Sequence, residues 1–184
     1  MDYKDILDLI LDAEDVTVGG GCSSALAGAM AAGLMGMVVK LSMKKDFGLS
    51  AEDLKHYDRE LAELQKQLLQ GTVNDREAYL AIVNAYKLPK GTEEEKDLRK
   101  LAIEDAGVTA ARAPKENALN CARVFEIGMI LDGKTNPACD TDLQMGISLA
   151  ELGREGAKMN IEVNLPLIKD PAKKVEFEEV LQEL

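Results

Sequence analysis

The chain has 184 residues, 46% of them hydrophobic and only five of them proline, which fits one globular domain and not a disordered chain. Its 33 acidic and 22 basic residues give a net charge of -11, which argues against nucleic acid or an anionic membrane as partner. The three cysteines, Cys22, Cys121 and Cys139, form no C-x-x-C motif, so a disulfide framework or a structural zinc site is not expected. A reduced, cytoplasmic protein fits these features best.

The N-terminal part of the chain predicts an amphipathic helix followed by an uncharged one. Apolar residues recur at helical spacing over residues 2 to 13, and this acidic segment does not resemble a signal peptide. Residues 16 to 39 carry no charge and are entered through three glycines, Gly19, Gly20 and Gly21. Six glycines and five alanines leave this run little apolar area for membrane insertion. We interpret it as a buried helix.

That uncharged helix has two different faces. Small residues recur every four positions on one side, and bulky apolar residues line another side. The small stripe comprises Ser24, Gly28, Ala32 and Gly36, and the bulky stripe comprises Leu26, Met30, Leu34, Met37 and Leu41. Small side chains allow another backbone to come close, so the pattern predicts tight packing against a second helix or a second subunit.

The middle of the chain predicts two long helices, each opened by a capping box. Ser50 precedes the first helix, which Gly71 is expected to interrupt before it stops at the L-P-K-G turn. Thr92 precedes the second helix, and Pro114 is expected to end or kink it.

After a turn-rich loop, the C-terminal part predicts a helix with another small stripe and a short final helix. The stripe comprises Gly146, Ala150, Gly153 and Ala157, so close packing of the two small-faced helices is expected. Asp170 and Pro171 predict the start of the last helix. Since no stretch alternates with a period of two, the sequence predicts an all-α, single-domain bundle over residues 1 to 184 around a glycine/alanine-rich central helix.

The glycine triplet is the first candidate for a binding site. Backbone amides at a helix start can hold an anion or a carbonyl group, although three glycines also fit a simple turn between helices. Cys22, at the same helix start, is either a thiol with a lowered pKa or a small buried side chain. His56 is the only histidine and falls on the polar side of its helix, which argues against histidine-based catalysis and most metal sites.

Carboxylates and a lysine remain for acid-base chemistry. Asp75 is either a functional acid or an exposed helical one. Asp142 follows Asp140 and Thr141, either of which fits an N-cap, so Asp142 is the less easily explained acid of this group. Lys90, in the L-P-K-G turn, is either exposed or a ligand contact.

Three segments together resemble a known family. They are GGGCSSALAGAMAAGLMGMVVKL, DREAYLAIVNAYKLPKGTEEEKDLRKLAI and NPACDTDLQMG, and they span roughly residues 1 to 168. The combination of D-x-x-A-Y, L-P-K and T-x-E-E-K resembles the cyclodeaminase/cyclohydrolase family. This family includes the C-terminal half of formiminotransferase-cyclodeaminase and stand-alone methenyltetrahydrofolate cyclohydrolases.

The resemblance implies an all-helical homodimer with a folate site near the subunit interface. It implies catalytic roles for Asp142 as principal acid or base and Asp75 as second candidate. The implied substrate contacts are Gly19, Gly20, Gly21, Cys22, Lys90, Asn136 and Thr141. Two residues depart from the family pattern, because Val18 stands where a proline is frequent and Cys22 where a serine is usual.

The function implied first is that of a formimidoyltetrahydrofolate cyclodeaminase, which converts 5-formiminotetrahydrofolate to 5,10-methenyltetrahydrofolate and ammonia. It requires no metal and no cofactor beyond the tetrahydrofolate substrate, which can carry a polyglutamate tail. A formiminotransferase in a separate chain is a possible partner. The alternatives are a methenyltetrahydrofolate cyclohydrolase, giving 10-formyltetrahydrofolate, and a non-catalytic folate-binding or scaffold dimer.

Overall fold

Helices account for nearly all of the regular structure in residues 2–184, the part of the chain that the computed structural model describes. No strand occurs in this range, which confirms the all-α expectation. The helices are α1 (Tyr3–Leu11), α2 (Gly20–Ser42), α3 (Ala51–Tyr86), α4 (Glu93–Leu131), α5 (Asp140–Asn164) and α6 (Pro171–Glu183). Two 3-10 turns, Pro137–Cys139 and Leu165–Leu167, flank α5.

The helix starts follow the capping signals of the sequence. The Thr92 side chain accepts a hydrogen bond from the Glu95 backbone N–H, and the Glu95 carboxylate accepts one from Thr92 in return. Ser50 and Asp170 cap α3 and α6 in the same position. These local bonds satisfy backbone donors that an uncapped helix leaves unpaired.

Helix α2 is the central helix of the bundle, packed against α3, α4 and α5. Its small stripe is buried throughout, as predicted, whereas Met30 and Met37 of the bulky stripe are exposed. Although α2 is long and apolar enough to cross a membrane, with a mean hydropathy of 1.7, 67% of its most apolar window is buried inside the protein. This burial supports the interpretation of the run as a core helix.

Helix α5 packs antiparallel to α2 through its own small stripe. Near the start of α5, the Asn136 backbone N–H donates to Ser42 Oγ, 2.9 Å away, at the C-terminal end of α2. Near its end, Asn160 lies against Gly20, at the N-terminal end of α2. The expected close packing of the two small-faced helices is thus confirmed.

The expected interruption at Gly71 and the expected helix end at Pro114 are wrong. Helix α3 runs without interruption through Gly71, because glycine is needed there for packing: a Cβ would overlap the amide oxygen of Asn117 on α4. Helix α4 likewise runs through Pro114. A proline frees the carbonyl four residues earlier, and here Asn164 Nδ2 donates to Ala110 O at 2.9 Å. At both positions, contacts with other helices accommodate a residue that is locally unfavourable in a helix.

Candidate functional site

The glycine triplet and Asp75 meet at one end of the bundle. Gly19 is the N-cap of α2, and Gly20 and Gly21 form its first residues. A Cβ at Gly21 would overlap both carboxylate oxygens of Asp75 from α3. Glycine therefore lets the carboxylate sit at the N-terminal end of α2, where the helix dipole favours negative charge.

Asp75 is only partly exposed, and this burial has an electrostatic consequence. Desolvation raises the pKa of its carboxyl group above the ordinary value, opposed by hydrogen bonds from the thiol and backbone N–H of Cys22. A carboxyl group with a raised pKa holds its proton to a higher pH than a solvated aspartate. A partly buried carboxyl group of this kind is suited to exchanging protons with a bound molecule.

The buried side chain of Cys22 contacts the carboxylate of Asp75. Its side chain is fully buried, and Sγ lies 3.4 Å from Asp75 Oδ2 and 3.3 Å from the Thr72 carbonyl oxygen. Burial, followed by the neighbouring Asp75 charge, raises the pKa of the Cys22 thiol to about 12. Cys22 is thus a protonated donor beside Asp75, and the alternative of a reactive thiolate does not hold.

This environment makes a prediction for thiol chemistry. All three cysteines are free and buried, and burial raises the pKa of Cys121 to about 12 as well. Since the thiolate is the reacting form, a disulfide reagent such as Ellman's is expected to titrate almost no thiol in the native protein and three after denaturation. Rapid labelling of a native thiol would contradict this placement.

A cleft of about 360 Å³ opens above the triplet and Asp75. Asn160 and Asn164 of α5 line one side, Tyr79 and Ile82 of α3 another, and the 16–18 segment forms an edge. Apolar walls around a few polar groups are typical of small-molecule sites. A larger groove of about 1170 Å³ lies between α3 and α4, but it contains neither Asp75 nor the triplet.

The other predicted site residues lie elsewhere in the chain. Asn136 caps the 3-10 turn by accepting from the Ala138 N–H, while Thr141 and Asp142 occupy the first turn of α5. Cys139, and not Asp140 or Thr141, is the N-cap of α5. Asn136 adjoins Ser42, so the length of α2, about 33 Å, separates it from the triplet, and Thr141 and Asp142 follow it within six residues. One chain does not bring the two aspartates together.

Lys90 and His56 are both solvent-exposed. Lys90 lies in the turn after α3 and is not among the residues that line the cleft. His56 contacts Glu60 at 3.4 Å on the surface, which confirms its expected surface position. Residues 2–184 contain no cluster of three His, Cys, Asp or Glu side chains with a geometry for a metal ion.

Sequence reasoning missed several residues of the cleft. Asn160 and Asn164 were not singled out, because an asparagine inside a helix carries no signal until its neighbours are known. Arg76, which does not line the cleft but contacts a residue that does, was missed as well: its Nε donates to Thr17 Oγ1 at 3.1 Å, and Thr17 in turn donates to Asp15 at 2.7 Å. This network places a guanidinium beside Thr17, at the edge of the cleft.

The protein is an all-helical bundle whose central helix starts at a glycine triplet against the partly buried carboxylate of Asp75. A family model described as formiminotransferase-cyclodeaminase matches residues 4–183. The chain belongs to this family.

Two curated relatives agree with this assignment, and one solved structure shares the fold. The chain is 34% identical over 157 residues to the methenyltetrahydrofolate cyclohydrolase of Methylorubrum extorquens, covering 85% of this chain and 76% of that protein. It is 29% identical over 167 residues to the formimidoyltransferase-cyclodeaminase of Gallus gallus, covering 90% of this chain and 31% of the much longer relative. A crystal structure of formiminotetrahydrofolate cyclodeaminase from Thermotoga maritima shares the fold, with a TM-score of 0.72 and 23% identity over all of this chain and 87% of its own.

Proposed function

We propose that this chain is a formimidoyltetrahydrofolate cyclodeaminase in which Asp75 exchanges the protons of the reaction. The observation that carries the proposal is the carboxyl group of Asp75, whose pKa burial raises, at the floor of a cleft beside the glycine triplet. Family membership supplies the substrate class, because the relatives are named for reactions of tetrahydrofolate derivatives.

The reaction is a ring closure with loss of ammonia. N10 of the folate attacks the carbon of the protonated formimino group (–CH=NH2⁺) on N5. The C–N10 bond forms as the π pair of the C=N bond moves to nitrogen, which gives a tetrahedral intermediate with an amino group. N10 gives up its proton to a base, the amino group receives a proton, and the C–N bond to ammonia breaks to leave the 5,10-methenyl cation. Asp75 can accept the first proton as a carboxylate and return it as an acid, so one group serves both transfers.

The size of the cleft limits what it holds. About 360 Å³ accommodates the pterin ring with its one-carbon unit, and the p-aminobenzoylglutamate part extends beyond it. Arg76 beside Thr17 offers a cation for the glutamate carboxylates, which an acidic protein otherwise repels. The catalytic role of Asp142 and the substrate-binding roles of Lys90, Asn136 and Thr141 remain predictions.

Methenyltetrahydrofolate cyclohydrolase is the second candidate function. One observation favours it: the bacterial relative matched at 34% identity carries that name. The same carboxylate would take a proton from a water molecule that attacks the methenyl carbon, and ring opening would give 10-formyltetrahydrofolate.

One pair of assays separates the two functions. With 5-formiminotetrahydrofolate as substrate, a cyclodeaminase produces the methenyl chromophore and ammonia together, above the rate of a blank without enzyme. With methenyltetrahydrofolate as substrate, a cyclohydrolase accelerates the loss of that chromophore. If neither rate depends on the enzyme, both proposals fail, and the non-catalytic binding or scaffold alternative gains support.

The raised pKa of Asp75 makes a prediction for the pH dependence of kcat/KM. Because Asp75 must be ionised to accept the N10 proton, kcat/KM is expected to fall as the pH drops through its pKa. Burial raises that pKa above its ordinary value, so the acid limb is expected at a higher pH than for a solvated aspartate. An acid limb at or below 3.8, with the protein still folded, would contradict this role.

A further inference from the structure

Two asparagine side chains line the α5 side of the cleft, one helical turn apart. Asn160 lies against Gly20, with its Nδ2 at 3.2 Å from the position that a Cβ on Gly20 would take. Asn164 follows four residues later, about 6 Å further along the helix axis. Asp75 lies against Gly21, the next residue of the triplet. The polar groups of the cleft therefore follow one order, from Asp75 past the triplet to Asn160 and then Asn164.

Hydrogen bonds hold the amide of Asn164 in one orientation. Its Nδ2 donates to Ala110 O at 2.9 Å and to Asn160 O at 2.8 Å, so both of its hydrogens are used. Turning the amide over would place Oδ1 against two carbonyl oxygens, and neither of these has a proton to donate. Oδ1 accepts from no donor in residues 2–184, so it is the polar atom that Asn164 offers to a ligand in the cleft.

The proline in α4 leaves one of these acceptors available. Proline has no backbone N–H, so Ala110 O lacks its usual partner within the helix at Pro114. The Nδ2 of Asn164 takes the place of that N–H. Ala110 itself lines the cleft. A proline inside a long helix thus orients a side chain of the candidate site.

Asn160 is oriented by a bond of the same kind. Its Nδ2 donates to Gly156 O at 2.8 Å, and its Oδ1 accepts from no donor in the described part of the chain. On the neighbouring side of the cleft, Gly20 and Gly21 begin α2, and the N–H groups of a first helical turn have no carbonyl partner within their helix. The cleft therefore presents backbone donors followed by two amide acceptors.

We infer that Asn160 and Asn164 bind the 2-amino-4-oxo edge of the pterin ring. Along this edge of a tetrahydrofolate, N5 is followed by the acceptor O4 and then by two donors, N3–H and the 2-amino group. The cleft has the complementary order of Asp75, the N–H groups of the triplet, Asn160 Oδ1 and Asn164 Oδ1. Asn160 accepts from N3–H and Asn164 from the 2-amino group, which sets N5 and its one-carbon unit beside Asp75. The substrate class in this inference rests on the proposed function.

The contact gives Asn164 a role in specificity. Because its Oδ1 has no donor in residues 2–184, a ligand without the 2-amino group leaves that oxygen unpaired in the closed complex. A site built to bind an N–H group discriminates against analogues that lack it. Asn164 does not touch the reacting atoms, so it determines which ring is bound and how it lies, and it is not a catalytic residue.

Removing the acceptor and the donor in turn tests the contact. Asn164→Leu keeps the approximate size of the side chain and is expected to raise the Kd of 5-formyltetrahydrofolate, a stable substrate analogue, about 10-fold. For the 2-desamino-2-methyl analogue of the same compound, the substitution is expected to change the Kd by less than about twofold, because the donor is already absent. Equal losses of affinity for both ligands, or no binding of 5-formyltetrahydrofolate to the unsubstituted protein, would overturn the inference.

A second variant separates binding from folding. Asn164→Leu leaves Ala110 O unpaired, whereas in Asn164→Leu/Pro114→Ala the backbone N–H at position 114 supplies the helical hydrogen bond to that oxygen. The Tm of the double variant is expected to return toward that of the unsubstituted protein. Its KM is expected to stay raised, without a matching fall in kcat, because the lost contact does not involve the reacting atoms. A KM that recovers together with the Tm would show a purely structural role for Asn164.

The same measurements distinguish this inference from the proposed function. If the unsubstituted protein turns over a folate but Asn164→Leu weakens both ligands equally, the pterin contact fails and the function stands. If neither folate assay shows turnover, but the affinity for 5-formyltetrahydrofolate depends on Asn164 and on the 2-amino group as expected, the function fails and the pterin contact stands.

Discussion

Replacing Asp75 with asparagine is expected to lower kcat by about 10²-fold or more, the usual loss when a general acid or base is removed. Asparagine keeps the size of the side chain but cannot accept the N10 proton or return it to the leaving amine. The measurement is the steady-state rate on both folate substrates. The matched control is Glu77→Gln, an exposed acid two residues further along α3, which is expected to leave kcat unchanged.

Folding stability distinguishes a catalytic loss from a structural one in this variant. The pKa of Asp75 is raised in the folded state, so ionisation of this carboxyl group destabilises the folded protein. The destabilisation is absent below the unfolded-state pKa and complete above the folded-state pKa. At pH 7 the asparagine variant is expected to unfold at the same temperature as the unsubstituted protein or higher, and this difference vanishes in acid. A variant that is both inactive and markedly less stable at pH 7 would point to a structural role instead.

Replacing Gly153 with alanine is expected to destabilise the protein by about 1–3 kcal/mol, because it overpacks the crossing of α5 and α2. The new Cβ would lie 2.8 Å from the Ser24 carbonyl oxygen and 3.1 Å from the Gly28 backbone nitrogen. Both atoms belong to the central helix and cannot move as a side chain does. Each kcal/mol corresponds to a fall of about 2–4 °C in Tm for a chain of this size.

Gly36→Ala is the control for this substitution. Gly36 belongs to the small stripe of α2, but a Cβ there meets no atom within 4 Å. Since alanine favours a helix over glycine by about 1 kcal/mol, this variant is expected to be as stable as the unsubstituted protein or more so. A Gly153→Ala variant as stable as Gly36→Ala would show that the helices do not cross as closely as the structure places them.

The helices could largely be predicted from local signals, and the exceptions have a common cause. Asp2, Ser50, Thr92 and Asp170 act within a few residues of the helix starts that they cap, so their effect is visible in the sequence. Gly71 and Pro114 were expected to break helices on the same local grounds. Their helices continue because contacts from distant parts of the chain, through Asn117 and Asn164, accommodate them.

The candidate site, like the helices, could be predicted from the sequence only in part. The sequence pointed to the glycine triplet and to Asp75 separately, since each lies in a recognisable motif. It could not show that the absent side chain of Gly21 makes room for the carboxylate, or that Cys22 lies beside it. Asn160 and Arg76 had no signal at all, because an asparagine or an arginine in a helix acquires a role only from what it faces.

By itself, the sequence determined the all-helical class, the burial of the uncharged run and the family, because helical periodicity, small-residue spacing and motifs are carried along the chain. The tertiary structure alone decided that the triplet and Asp75 share a cleft while Asp142 lies at the opposite end of α2. The physical reason is the relative orientation of the helices. Two long helices packed antiparallel bring together residues that are far apart in sequence, and which helix ends meet depends on the packing and not on any local pattern.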